Sequence, residues 1–371
     1  MNSRTVFFVI VAVIVVFISL FTSKVYSAAL EANPSVSKTL SIVSLFIAFS
    51  YMASLLLRRS SNVLHRTLYT ILNIIAGIFF YLFLGAIALG IIDTILFLSI
   101  HTAPLWIGWA MVCISVLASI IGFIQARIIT VKRYSITLPH APASWNGKTA
   151  VLVTDTHFGL VNYKKFSDMV VQKILSLKPD FVLHGGDFYD GPIVDTAPLV
   201  ASWKKLTEEV LLFYTPGNHE AYGDYELFVN SLRQMGATVL DDKVAEYDGV
   251  QIAGTLYHSG RESKEVAEAL AHMNLDSAKA SILINHPPTS LPEASEANIS
   301  LMVSGHTHRG QFWPFRYITR RVYKGYDYGV KAYKNMTVVT SNGVGTFGPP
   351  LRFLNSPEVV LLTFNVKSDM I

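Results

Sequence analysis

Five short apolar runs beyond residue 150 each end in side chains of types that bind metal ions or move protons. Val151-Leu-Val153 leads to Asp155 and His157, Phe181-Val-Leu183 to Asp187, and Leu211-Leu-Phe-Tyr214 to Asn218 and His219. Ser281-Ile-Leu-Ile284 leads to His286, and Leu301-Met-Val303 to His306 and His308. Carboxylate, imidazole and amide oxygen donors together suit a divalent transition metal ion, or two of them. The single cysteine, Cys113, excludes both a thiolate zinc site and an intrachain disulfide. Two ions a few ångströms apart repel, and an Asp on a central strand could bridge them. Such a pair clamps a phosphate and makes hydroxide from water near neutral pH.

These side chains need elements that deliver strand ends to one edge. Helical patterns, Tyr163 to Leu177 and roughly Ala197 to Glu209, lie between the runs, and more strands are expected around Val250–Thr255, Thr337–Thr340 and Val359–Val366. Strand–helix alternation predicts a layered α/β domain. Strands that run out into polar residues place them where α/β active sites usually lie. Taken singly, an Asp-x-His or a Gly-Asp after a strand usually marks a turn. Their joint occurrence in order, each after an apolar run, points to one shared site.

Asp155-x-His157, Gly186-Asp187, Gly217-Asn218-His219-Glu220, His286 and Gly305-His306-Thr307-His308 resemble the signature of calcineurin-like metallophosphoesterases. The resemblance covers roughly residues 148–366 and implies a four-layer αββα sandwich with a dinuclear site at the strand ends. It implies that Asp155, His157 and His308 hold one ion, Asn218, His286 and His306 the other, with Asp187 bridging. The ions would be Mn, Fe, Zn or Mg, with Mn favoured, and a hydroxide between them would attack phosphorus. His219 would lie outside the metals and donate a proton to the leaving oxygen or stabilise charge on the phosphoryl group, with Glu220 a candidate to orient it. His184 departs from the small or apolar residue more usual in the family and is read as packed, supporting or in contact with substrate.

Four long apolar stretches precede this domain, at about Thr5–Phe21, Thr39–Leu57, Leu68–Ile92 and Leu105–Ile124. Each nears or exceeds the ~20 residues that cross a bilayer as a helix. The third boundary is blurred, because apolarity continues from Thr94 to Ile100. Residues 1–126 are net +4 and the rest is net zero, so the charge excess does not mark a nucleic-acid-binding domain. Arg4, Arg58, Arg59, Arg66, Arg127, Lys132 and Arg133 fall on one side of the spans, and Lys24, Lys38, Glu31, Asp93 and His101 on the other. That bias puts both ends, and the catalytic domain, in the cytoplasm. The first segment, followed by Ser27-Ala28-Ala29, is expected as a retained anchor rather than a cleaved signal peptide. The expected division is a four-span module over 1–126, a juxtamembrane linker over 127–147, the phosphoesterase-like domain over 148–366 and a tail over 367–371.

Four spans plus this domain are similar to the membrane-anchored branch of the family. Some of its members resemble UDP-2,3-diacylglucosamine pyrophosphatases, a likeness carried by architecture and by Gly305-His-Thr-His-Arg-Gly-Gln311. Between Phe312 and Lys334 eight aromatic residues interleave with six basic ones and one acid, Asp327. Aromatic side chains favour bilayer interfaces and basic ones favour anionic leaflets. With Arg309, Arg316, Arg320 and Arg321 as candidate substrate contacts, the expected partners are the bilayer and a phosphate-containing, lipid-linked substrate. No nucleic acid is expected. The expected activity is cleavage of a phosphodiester or pyrophosphate. The alternative is a transporter or receptor with a regulatory phosphoesterase-fold domain, which no ionisable residue in mid-span supports.

Overall fold

Apolar stretches with almost no charge satisfy their backbone internally, and in the N-terminal third they do so as helices. These are α1 (Ser3–Ala29), α2 (Pro34–Ser54), α3 (Val63–Leu98) and α4 (Leu105–Gln125). All four are long and apolar enough to cross a membrane. The third runs past the expected Ile92 because the following apolar residues continue the helix to Leu98. The computed structural model describes residues 3–54, 62–98, 104–191, 195–257 and 263–366. Arg58, Arg59, His101 and the expected tail over 367–371 lie outside the described residues.

The chain forms two compact units, Met1–Ile124 with Gly348–Phe353, and Gln125–Phe347 with Leu354–Ile371. In the first, Phe17, Phe46 and Trp106 turn outward at 67%, 71% and 68% exposure, as side chains facing hydrocarbon would. Ser23 and Ser41 hydroxyls meet at 3.1 Å between α1 and α2. The excursion Gly348–Phe353 docks within this unit, where Arg352 N–H donates to the Gly122 carbonyl at 3.0 Å and the Phe353 ring meets Tyr81 edge-on.

The second unit begins with β1 (Thr130–Thr137), β2 (Thr149–Val153), α5 (Lys164–Leu175), β3 (Phe181–His184), α6 (Ala197–Glu209) and β4 (Leu211–Tyr214). There follow α7 (Asn218–Tyr222), α8 (Tyr225–Gln234), β5 (Thr238–Val239), β6 (Lys243–Tyr247), β7 (Val250–Gly254) and α9 (Ser263–His272). The rest is β8 (Ser281–Ile284), α10 (Leu291–Glu296), β9 (Leu301–Ser304), α11 (Arg316–Val322), β10 (Gly329–Tyr333), β11 (Met336–Thr340) and β12 (Glu358–Asn365). They form two six-stranded sheets, ordered β1-β12-β2-β3-β4-β5 and β10-β11-β9-β8-β7-β6. Within them β2 to β5 run parallel, as do β7, β8, β9 and β11.

The period-2 alternation of strands explains the layering. Leu152, Leu183 and Phe181 on one face of the first sheet pack against Ile252, Ile282 and Val303 of the second. On its other face Val151 and Val182 pack against Trp203 of α6 and Phe228 of α8. The second sheet covers its outer face with α9 and α10 through Leu283, Met302, Val266 and Leu291. The result is the four-layer αββα order. One expected boundary shifts: residues read as a linker supply β1, which pairs along its whole length with β12. Its exposed polar residues, Lys132 and Arg133 among them, suit an edge strand and hide its strand character.

Trp203 is fully buried and donates its indole N–H to Ser167 Oγ at 3.1 Å, tying α6 to α5. Trp203→Ala should cost about 3–5 kcal/mol, read as a lower denaturation midpoint of the detergent-solubilised protein. Trp313→Ala, at a 39% exposed position, should change it by less than about 0.5 kcal/mol; equal losses would refute this packing.

Candidate metal centre

Strands β2, β3, β4, β8 and β9 end at one edge, and each hands its chain to a loop that turns at once. Asp155, His157, Asp187, His306 and His308 all take left-handed backbone angles, with φ between 45° and 69°. A non-glycine residue there costs of order 1–2 kcal/mol, and it persists only where surroundings over-determine it. Here the loops bind one another. Asp155 N–H donates to the Gly186 carbonyl at 3.0 Å, His157 N–H to Asp187 at 3.1 Å, and Gly305 N–H to His286 at 2.9 Å. Close approach also explains two glycines. A methyl group on Gly217 would strike the Asp187 carboxylate, and one on Gly305 the Asp155 carboxylate.

The side chains converge in two groups. His157 Nε2 and His308 Nε2 are 2.9 Å apart, with Asp155 Oδ1 at 3.4 Å from the latter and 4.0 Å from the former. In the second group His286 Nε2 lies 3.0 Å from Asn218 Oδ1 and 3.2 Å from His306 Nδ1. His306 Nδ1 lies 2.8 Å from the same Asn218 oxygen. Asp187 joins the groups, its Oδ2 being 3.2 Å from His286 Nε2 and 3.8 Å from His157 Nε2.

This donor set fits cations. His286 Nδ1 is held by the Gly185 carbonyl at 2.6 Å, which fixes the ring and turns Nε2 inward. That Nε2 faces Asp187, Asn218 and His306 together. One proton there satisfies one neighbour, whereas a cation satisfies all three. Asp155, His157 and His308 form one metal-capable group, and Asp187, His286 and His306 another.

Charge makes the same demand. Burial pushes the Asp155 carboxyl up. Burial also opposes charge on Asp187, yet the His286, His219 and His157 imidazoles hold it well below the usual range. His286 is disfavoured by burial, but Asp187 and Asp155 outweigh this and hold it up at about 9. In the protein alone, then, His286 carries the positive charge that the carboxylates require. Burial, aided by neighbouring imidazoles, drives His219 down to about 4 and His306 to about 3.

His219 stands beside the cluster, its ring edge-on to His157 with centroids 4.5 Å apart, and its backbone N–H donates to Asp187 Oδ1 at 2.8 Å. Asp190 went unread in the sequence. Its Oδ1 lies 3.6 Å from both His157 Nδ1 and His219 Nδ1, so one carboxylate backs both rings. The spacing Asp187-x-x-Asp190 was the available signal. Glu220 does not orient His219. Its buried carboxylate instead accepts backbone N–H groups of Asp187, Tyr189 and Gly217 at 3.1, 3.0 and 2.8 Å.

His184 is fully buried among Phe188, Trp203 and Tyr214 and accepts the Gly186 N–H on Nδ1 at 3.2 Å. It supports the Asp187 loop from beneath and presents no surface to a substrate. Arg309, Arg316 and Arg320 line a cavity of about 360 Å³. Arg321, also on α11, does not.

Residues 148–310 match the calcineurin-like phosphoesterase family. An uncharacterized metallophosphoesterase of Helicobacter pylori is 31% identical over 223 residues, which cover 59% of this chain and 60% of that one. The alignment thus spans less than two thirds of that relative. An uncharacterized metallophosphoesterase of Aquifex aeolicus is 30% identical over 263 residues, covering 69% of this chain and 99% of the relative. A transmembrane protein with metallophosphoesterase domain from Bos taurus is 25% identical over 274 residues, 68% and 61% of the two chains.

After chelation, Mn²⁺ at a hundred times its dissociation constant should stabilise the protein by about 2.7 kcal/mol, read as a raised thermal midpoint. Asp187→Asn should remove most of that rise. A wild-type midpoint indifferent to Mn²⁺, Zn²⁺ and Mg²⁺ alike would exclude a metal centre.

Proposed function

Because the chain belongs to the calcineurin-like phosphoesterase family, we propose that it is a membrane-bound phosphohydrolase dependent on two divalent ions, Mn²⁺ foremost. It cleaves a phosphodiester or pyrophosphate bond, and the substrate is lipid-linked. The observation that carries this reading is the meeting of two donor groups at the Asp187 carboxylate. Asp155, His157 and His308 would hold one ion and Asn218, His286 and His306 the other, with Asp187 shared between them. Bound divalent ions supply Lewis acidity to the phosphoryl group and water of lowered pKa.

The chain's own contribution centres on His219. Burial keeps this ring neutral at rest, with its pKa near 4. Its Nδ1 lies 3.6 Å from Asp190 Oδ1, which places the ring beside the converging donors, where it would donate a proton to the leaving oxygen or stabilise charge on the phosphoryl group. The amphiphilic character of the substrate is supported by Trp313, Tyr317, Ile318 and Val322, apolar or aromatic side chains at least 39% exposed beside Arg316 and Arg320. The lysine and arginine bias of the interhelical loops supports a cytoplasmic catalytic unit.

Wild-type protein with Mn²⁺ should hydrolyse bis(p-nitrophenyl) phosphate. His219→Ala should reduce kcat by about 10²- to 10⁴-fold, and Asp187→Asn should abolish turnover, each with helical content retained by circular dichroism. Turnover indifferent to both changes would refute the enzyme reading, and products formed from a total lipid extract, compared by mass between wild type and His219→Ala, would identify the substrate.

A further inference from the structure

A cavity of about 360 Å³ is walled by Arg309, Arg316, Arg320 and Lys331, against one acid, Asp327. Arg309 directly follows His308, so their Cα atoms are about 3.8 Å apart, and this residue links the cavity along the chain to the candidate metal centre. Two of these cations lie against aromatic rings. The Arg309 guanidinium lies 4.2 Å from the Tyr328 ring centroid, and that of Arg316 lies 4.9 Å from Tyr317. Arg316 also donates to the Tyr317 hydroxyl at 2.9 Å. Among the described residues none of the four cations has a carboxylate within 4.0 Å. Asp327 is itself buried, and its carboxylate accepts from the Thr319 hydroxyl at 3.4 Å.

A guanidinium carries five N–H donors, so Arg316 retains donors beyond the one given to Tyr317, and such edges match phosphate oxygens two at a time. Four cations facing one acid make the cavity strongly favourable for an anion. Its volume exceeds what one phosphate fills and suits a phosphate together with the group that bears it. We infer that this cavity is a second anion subsite, holding a phosphate group of the substrate other than the one whose ester bond is broken. The inference rests on the phosphohydrolase reading above and narrows it: the substrate carries two phosphate groups, one for the metal centre and one for this basic cavity.

The subsite can be tested without turnover. Inorganic phosphate titrated into the full-length, chelator-treated protein in phosphatidylcholine nanodiscs should bind, read by calorimetry. The double variant Arg316→Gln/Arg320→Gln should weaken that binding at least tenfold, and Lys324→Gln, outside the cavity, should not. Affinity unchanged in the double variant, or absent in wild type, would overturn the subsite. Nanodiscs of phosphatidylglycerol should leave the phosphate affinity unaltered; a marked loss there would assign the cavity to bilayer headgroups instead. With Mn²⁺, wild type should prefer thymidine 3′-phosphate 5′-(p-nitrophenyl phosphate) over the ester lacking the 3′-phosphate by at least tenfold in kcat/KM. The double variant should lose this preference, and a preference that survives would refute the proposal. Hydrolysis of neither ester would count against the phosphohydrolase reading, while the phosphate titration would still decide the subsite.

Discussion

Burying two carboxylates within one cluster is the constraint around which the second unit is organised. Asp155 and Asp187 are shielded from water, at 0% and 2% exposure, and an isolated buried charge is too costly to persist. The surrounding imidazoles answer that cost, and His286 does so by holding a proton far above the ordinary histidine range. Left-handed backbone at five of the clustered residues and glycines pressed against carboxylates follow from the same need to bring five strand ends within a few ångströms. The apolar sandwich supplies the rigidity that makes such crowding tolerable.

Around that cluster the carboxylates divide their tasks. Asp155 and Asp187 face inward to the converging donors. Asp190 backs two imidazoles, and Glu220 gathers three backbone N–H groups without touching either histidine pair. Four acidic side chains of similar chemistry thus do three different things, and burial and hydrogen bonding rather than residue type decide which. His184 extends the pattern: an imidazole kept neutral by burial, its pKa lowered to about 3, serves as an acceptor for the Asp187 loop.

Much of the clustering was legible because the candidate donors sit at predictable distances after apolar runs. The strand ends at Val153, His184, Tyr214, Ile284 and Ser304 lie within one residue of the runs read from composition, and the α5 and α6 helices were visible in amphipathic spacing. What stayed hidden depends on contacts between residues distant in sequence. β1 looks polar because only one side of an edge strand is buried, and its partner β12 lies more than two hundred residues away. Asp190 is a turn residue until His157 and His219 are brought to it. Glu220 follows His219 directly, which suggested a partnership, yet the short helix α7 turns its carboxylate toward the backbone of the β3 loop. Composition alone gave no secondary structure for the aromatic and basic stretch after His308; α11 occupies its first half, and Gly329–Tyr333 forms a strand.

The Glu220 clamp has a consequence for how the cradle selects its guests. One buried carboxylate fastens the loops that carry Asp187 and Asn218, so their separation is fixed by the polypeptide and not by an arriving ion. A cradle set in advance would have little reorganisation energy to give back, and it would discriminate between cations by radius and preferred coordination number.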